Sequence, residues 1–255
     1  NLRTFILMYR RQDAFRAMRE LSRLQLCDDV GGLSWTTGKM LFGVQRPAER
    51  DPEEPEFFLY LDLSGSDPRE LRLRVELLTE YLATLDADGV RQEKPLDIET
   101  LVRLNPQFGK FAEFPTRLEF LVDHPGGGLS WVGTYGPLSR FEAFADRGVE
   151  IMQRHGLPPT IVSRPMKGGH FGVMRFIATF DKRDDAERAA VRQMNGELVD
   201  AGVELGFVPY KTPPWVVRRL RERFDPGFVK VLQGVRRQLD PHGVLAPLCW
   251  DLDAG

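Results

Sequence analysis

Two periodicities alternate along the chain. Leu2 to Tyr9 alternates as a strand, and Asp13 to Leu24 follows as a helix with Phe15, Met18 and Leu21 inward. Phe57 to Leu63 reads as a second strand. After the turn Ser64-Gly65-Ser66-Asp67-Pro68, the residues Leu71, Val75, Leu78, Leu82 and Leu85 recur at the spacing of one helical face. The later part repeats this plan. Ser130 to Tyr135 is a strand, and a helix from Ser139 carries Phe141, Phe144, Ala145, Gly148, Ile151 and Met152 on one stripe. Strands near Thr160 to Met166 and from Phe171 to Phe180 precede a helix with Val191, Met194, Leu198 and Ala201 inward. Pro47 to Glu56, acidic and proline-rich, reads as a surface loop, and Gln92 to Pro106 as an irregular connector.

The matching order of elements points to an internal duplication. Phe15 and Phe141 open equivalent helices, and Asp67 and Asp184 each follow a strand and precede a helix. The predicted class is α+β: two divergent strand-helix-strand-strand-helix-strand units of ferredoxin-like type. Their strands are expected to form an antiparallel sheet with helices on one face, followed by a C-terminal helix and an extended tail. The expected divisions are 1–106, 107–209 and a helical segment 210–255.

Composition narrows the function. A chain of 255 residues that is 42% hydrophobic has ample material for a core. Its 35 basic and 37 acidic residues are interspersed and give a net charge of −2. No polybasic stripe is present to neutralise phosphates or an anionic membrane, which argues against nucleic-acid and membrane partners. No apolar run reaches the roughly 18 residues needed to span a bilayer. The start, Asn1-Leu2-Arg3-Thr4-Phe5, is not a signal peptide and reads as the middle of a longer protein; a cytoplasmic location is favoured. Cys27 and Cys249 are too few for a disulfide framework or a cysteine-based metal site; one bridge between them stays open beside the expectation of reduced thiols. His124, His155, His170 and His242 fall at no ligand spacing, so no metal is expected.

The C-terminal stretch carries the most specific pattern. Gly206-Phe207-Val208-Pro209-Tyr210-Lys211 leads through an amphipathic helix to Leu239-Asp240-Pro241-His242-Gly243-Val244-Leu245-Ala246-Pro247. Asp240-Pro241 ends the helix, because proline cannot continue the hydrogen-bond ladder and disfavours α geometry at the residue before it. Gly243 suits a turn, and the apolar residues after it leave as a tail that needs a surface. This stretch resembles the C-terminal end of flavoproteins of the vanillyl-alcohol oxidase and p-cresol methylhydroxylase family, in which a Tyr-Arg pair precedes a helix ending in Asp-Pro-Asn-Gly-Ile-x-x-Pro. The resemblance extends from Phe5 to Trp250. It implies the substrate, or cap, domain that roofs a flavin held by a separate N-terminal FAD-binding domain, which is absent from this chain.

The same resemblance assigns candidate roles. Tyr210 and Lys211 match the pair that holds the oxygen of a phenolic substrate, although lysine lacks arginine's planar fork; read on their own they are a half-buried tyrosine and a solvated lysine. Leu129, in Pro125-Gly126-Gly127-Gly128-Leu129-Ser130-Trp131, stands where some relatives carry the histidine bonded to flavin. Leucine cannot form that bond, so FAD is expected without a histidyl link from this strand. Trp131 is either a core tryptophan or a border of the flavin or substrate. In the strand from Phe171, alternation puts His170, Gly172 and Met174 on one face and Phe171, Val173 and Arg175 on the other. Arg175 is a solvated charge, a partner of an acidic neighbour, or an anion holder. His170 is a turn histidine or a substrate contact. The glycine runs Gly126-Gly127-Gly128 and Gly168-Gly169 lack the strand, helix start and acidic partner of a dinucleotide-binding fingerprint.

The resemblance implies an FAD-dependent oxidoreductase that takes a hydride from a benzylic, allylic or alcohol C–H of a small substrate, with this chain alone colourless and inactive. Its expected partners are a small-molecule substrate, an FAD-binding domain and a second copy of itself. One alternative is the cap of a D-2-hydroxyacid dehydrogenase, although that branch's Gly-His-x-Gly-Asp-Gly-Asn-x-His run is cut short here after Gly169-His170-Phe171-Gly172. The other is a ferredoxin-like binding module with no enzymatic role.

Overall fold

The computed structural model describes residues 1–47, 49–112, 114 and 118–245. The chain divides into two compact units, Asn1–Val208 and Pro209–Gly255.

The first unit opens with β1 (Leu2–Met8), α1 (Arg11–Leu24), β2 (Asp29–Ser34), α2 (Trp35–Leu41), β3 (Phe57–Leu63), α3 (Pro68–Ala87), β4 (Leu96–Asp97), α4 (Ile98–Leu104) and α5 (Gly109–Ala112). It continues with β5 (Gly127–Gly136), α6 (Phe141–Arg154), β6 (Thr160–Met166), β7 (Phe171–Asp181) and α7 (Asp185–Glu204). The sheet order is β4-β1-β3-β2-β6-β7-β5-β8, ending in the two-residue β8 (Val208–Pro209). Within each repeat the strands run fourth-first-third-second, the ferredoxin-like order, and the two repeats abut through their second strands. That junction is antiparallel, with Gly32 opposite Ser163 and Leu33 opposite Val162. Pairing the two second strands removes an exposed edge from each repeat.

The helices form where the periodicity puts them. In α1 the buried positions include Phe15, Met18 and Leu21; in α6 they are the six stripe residues. Asp67 and Asp184 cap α3 and α7, each accepting from two backbone amides of the first turn. α3 lies alongside α1, tied by the Tyr81 hydroxyl donating to Glu20 at 2.7 Å. One sheet face is the helix-covered side, where Phe57 and Phe176 pack against Phe15 of α1 and Phe144 of α6.

Two features depart from the sequence reading. The stretch Gln92 to Pro106, expected to be irregular, forms β4 on the sheet edge and then α4. Asp97 makes this possible by capping α4 through the Thr100 amide at 2.7 Å. In addition, α2, α4 and α5 cover the second sheet face in the first repeat. There Phe5, Tyr60, Leu101, Phe111, Phe114, Phe120 and Leu121 build a second core.

The second unit is α8 (Pro214–Leu220), a single 3-10 turn, and α9 (Pro226–Leu239), so the expected single helix is two. α9 ends at Asp240-Pro241 as its sequence requires. The Asp240 carboxylate accepts from the amides of Val244 and Leu245 at 2.8 and 2.9 Å, and Gly243 takes a φ of +65°. The tail from Ala246, including Cys249, lies outside the described residues.

Candidate functional site

Antiparallel register decides which side chains share the face away from α1, α3, α6 and α7. Opposed residues point to the same side. Arg3 opposes Asp62 and Phe5 opposes Tyr60 across β1 and β3; Asp29 opposes Asp62 and Gly31 opposes Tyr60 across β2 and β3. Val162 opposes Arg175, and Arg164 opposes Val173, across β6 and β7. Gly133 opposes Arg175, and Trp131 opposes Ile177, across β5 and β7. Arg3, Asp29, Tyr60, Asp62, Arg164, Arg175 and Trp131 therefore lie on one face. In sheet strands that are otherwise largely apolar, this is a concentration of charge.

Its members are held in defined pairs. The Arg3 guanidinium donates to both Asp62 carboxylate oxygens, at 2.6 and 2.5 Å, a bidentate geometry. Its remaining nitrogen donates to the carbonyls of Phe111, Ala112 and Phe114, fastening that segment to the sheet. Arg164 donates to Asp29 at 2.7 Å. Tyr60 is 2% exposed, with Phe114 edge-on at 5.5 Å and the Arg3 guanidinium 5.7 Å from its ring centre. Gly31 makes room for that ring: an added Cβ would stand closer than 3.0 Å to the Tyr60 ring and hydroxyl.

These surroundings set the charge states. Burial raises the Tyr60 phenol well above its ordinary value; Asp29 and Asp62 add to the shift, and Arg164 and Arg175 oppose it. Tyr60 is therefore a neutral hydrogen-bond donor at pH 7. Burial also raises the Asp29 carboxyl, against the pull of Arg164. Arg175 and Trp131, on adjacent strands of this face, can hold an anionic or strongly polar oxygen beside a flat aromatic surface.

The sequence-predicted residues are distributed as follows. Trp131 and Arg175 share the face just described, on adjacent strands. Leu129 lies on it too, opposite Thr179, and packs with Trp131 against the second core. His170 does not join them. It is exposed in the β6–β7 turn, and five residues of strand put it about 16 Å from Arg175. Tyr210, half-buried, and Lys211, exposed, belong to the second unit. Arg3, Asp29, Tyr60, Asp62 and Arg164 went unremarked in the sequence. For the four charged ones a charge inside a strand is the only local signal, and pairing register is needed to show that the five share a face.

The other histidines have structural partners or positions. His155 pairs with Glu197 at 2.8 Å, and the His124 ring contacts the Gly128 carbonyl at 3.1 Å; His242 is in the turn after α9. Among the described residues no group of three His, Cys, Asp or Glu side chains could hold a metal, and no helix is long and apolar enough to cross a membrane. Cys27 is a free thiol, pushed up to about 12 by burial.

The glycine runs serve packing. A Cβ at Gly126 or Gly128 would collide with the backbone of Asp181 or Phe180, so these glycines let β5 approach β7. Gly168 and Gly169 form the β6–β7 turn with positive φ. Neither run opens a helix, and neither fits a diphosphate cradle.

No family model and no curated protein matches the chain. Solved structures do. p-Cresol methylhydroxylase with substrate bound superposes with a TM-score of 0.78 at 17% identity, over 98% of this chain and 52% of its own. 4-Ethylphenol oxidase from Gulosibacter chungangensis, in complex with isoeugenol, gives 0.74 at 17% identity, over 96% of this chain and 52% of its own. Alkyldihydroxyacetonephosphate synthase gives 0.53 at 10% identity, over 98% and 44%. The chain thus spans about half the length of these proteins. At such identities the likeness speaks for architecture, and this chain has the fold of one half of p-cresol methylhydroxylase and 4-ethylphenol oxidase, as the resemblance of its C-terminal sequence implied.

Proposed function

We propose that this chain is the substrate-binding cap of an FAD-dependent oxidoreductase acting on a small substrate with a phenolic or alcohol oxygen. The observation that carries the reading is the shared sheet face: Trp131, Arg175 and Arg164 lie on three adjacent strands of one face, on a fold shared with two phenol-oxidising enzymes. In this reading FAD is held by a domain outside this chain and supplies the hydride acceptor. The glycines here do not fit its phosphates, and Leu129 offers it no covalent link.

The chain's own residues bind and orient. Trp131 offers a flat surface for an aromatic ring. Arg175 supplies a guanidinium that strengthens its hold as an oxygen becomes anionic. Tyr210 and Lys211, in the second unit, keep the role the sequence resemblance implies for them, a phenol and an ammonium for a substrate oxygen. His170, exposed and remote from Arg175, drops out of the substrate contacts. A 2-hydroxyacid substrate is the second reading, favoured by the neighbouring Arg164 and Arg175 on adjacent strands of this face, since a guanidinium fork matches a carboxylate.

The test uses the full-length protein that contains this chain. It should show an oxidised-flavin spectrum that bleaches anaerobically with one member of a panel of phenols, benzylic alcohols and 2-hydroxyacids, whereas the 255-residue chain alone stays colourless. Arg175→Met should lower kcat/KM on that substrate by about tenfold to a hundredfold, the loss expected for one charged hydrogen bond. A full-length protein without flavin would leave the non-enzymatic binding module. Wild-type kcat/KM in Arg175→Met would remove this face from the chemistry.

A further inference from the structure

The first repeat holds a separate cavity of about 350 Å³ on the same side of the sheet. Six aromatic rings line it: Phe5 and Phe58 from the strands, Trp35 and Phe42 from α2 and its end, and Phe108 and Phe111 beyond α4. The rings meet around the wall. Phe42 and Phe108 are edge-to-face at 5.1 Å, Phe108 and Phe111 are 6.2 Å apart, and Phe5 and Phe111 stack at 5.6 Å. Phe58 on β3 and Arg175 on β7 are separated by β2 and β6, about 14 Å at the usual strand spacing. The cavity thus lies away from Arg175, and none of Arg3, Asp29, Tyr60, Asp62, Arg164 and Arg175 lines it, although Phe5 on its wall opposes Tyr60.

Protein interiors seldom leave voids much larger than a water molecule, so an apolar space of this size calls for an occupant. Water is a poor one, because apolar walls give it nothing to bond; an apolar cavity of about 150 Å³ stays dry and takes up benzene. The volume falls in the usual range for small-molecule pockets. Rings set at several angles offer edge and face partners to another ring.

The mouth favours a small molecule over a protein surface. Lys39 and Glu54 pair there at 2.8 Å, with the ammonium 4.7 Å above the Trp35 ring and about a third of each side chain in water. A docked protein would strip water from both charges; a small molecule seated below the pair need not. The pair is neutral as a whole and provides no net charge to attract an ion. We propose that this cavity binds a neutral aromatic molecule of roughly ten to fifteen heavy atoms, scaled from the benzene case, at a site independent of the proposed catalytic face.

Naphthalene is the probe. In an amide NMR titration of the chain, the Trp35 indole N–H and the Gly38 amide, both on the cavity, should shift saturably. Naphthalene-2-sulfonate, of the same shape but charged, should bind at least tenfold more weakly. Leu104 is on the rim and 72% exposed, so Leu104→Trp should crowd the mouth without disturbing the core and weaken binding about tenfold. Phe42→Ala, at a second rim position, should also weaken it, and the melting temperature without probe checks that both variants fold. The absence of saturable shifts at Trp35 and Gly38, or wild-type affinity in both rim variants, would overturn the proposal.

Discussion

Gly31→Ala tests whether the polar face is built as described. Gly31 has an ordinary strand backbone, with no positive φ. Replacing a strand glycine by alanine normally stabilises a protein by about 0.5–1 kcal/mol, because the unfolded chain loses freedom. Here the new methyl group would stand closer than 3.0 Å to the Tyr60 ring and hydroxyl. The ring has little room to retreat, being 2% exposed with Phe114 on its edge and Arg3 over its face. Overpacking of this kind costs about 1–3 kcal/mol, which outweighs the backbone gain and makes the expected net change a loss of about 1–2 kcal/mol. Urea unfolding monitored by circular dichroism measures it. In a Tyr60→Leu background the clash shrinks, so the two substitutions should couple by at least about 0.5 kcal/mol. A stabilised Gly31→Ala protein, or strict additivity with Tyr60→Leu, would show that Tyr60 does not lie across β2.

Three further outcomes are expected. The Asp29 carboxyl, raised by burial, binds its proton more tightly in the folded than in the unfolded chain; its destabilising effect is complete above the folded pKa and disappears as pH falls below about 3.9, the unfolded value. Carbon NMR should find its midpoint above that value and higher still in Arg164→Met, whereas a midpoint at or below an ordinary aspartate's would refute the assignment. Cys27, half-buried with its thiol pushed up to about 12, should react slowly with Ellman's reagent at pH 8 in a Cys249→Ser background until the protein is unfolded; rapid labelling of the native protein would contradict the raised thiol. If the full-length protein has the proposed activity, Lys211→Met should cost roughly 100-fold in turnover and Lys211→Arg should retain activity, and unchanged turnover in Lys211→Met would take the lysine out of the substrate site.

Local periodicity by itself determined most elements, because side-chain spacing of 3.6 or 2 is a property of the chain before it folds. The stripe from Phe141 to Met152, the strand from Phe171 and the caps at Asp67 and Asp184 needed nothing else. It also determined the end of α9, since Asp240-Pro241 and Gly243 act on their own backbone. It did not reveal α2, or α4 within the stretch from Gln92 to Pro106. Those short helices are stable because they cover the second sheet face, and that face exists only once β1 and β3 have paired. Nor could it gather the polar cluster. Arg3, Asp62, Asp29 and Arg164 come from four strands, and a register one residue different would send each to the opposite face. Tertiary structure alone decided that Tyr60 crosses Gly31 and that six rings from distant segments enclose one cavity. The physical reason is that alternation says which residues of one strand share a side, while only inter-strand hydrogen bonds say which residues of different strands meet.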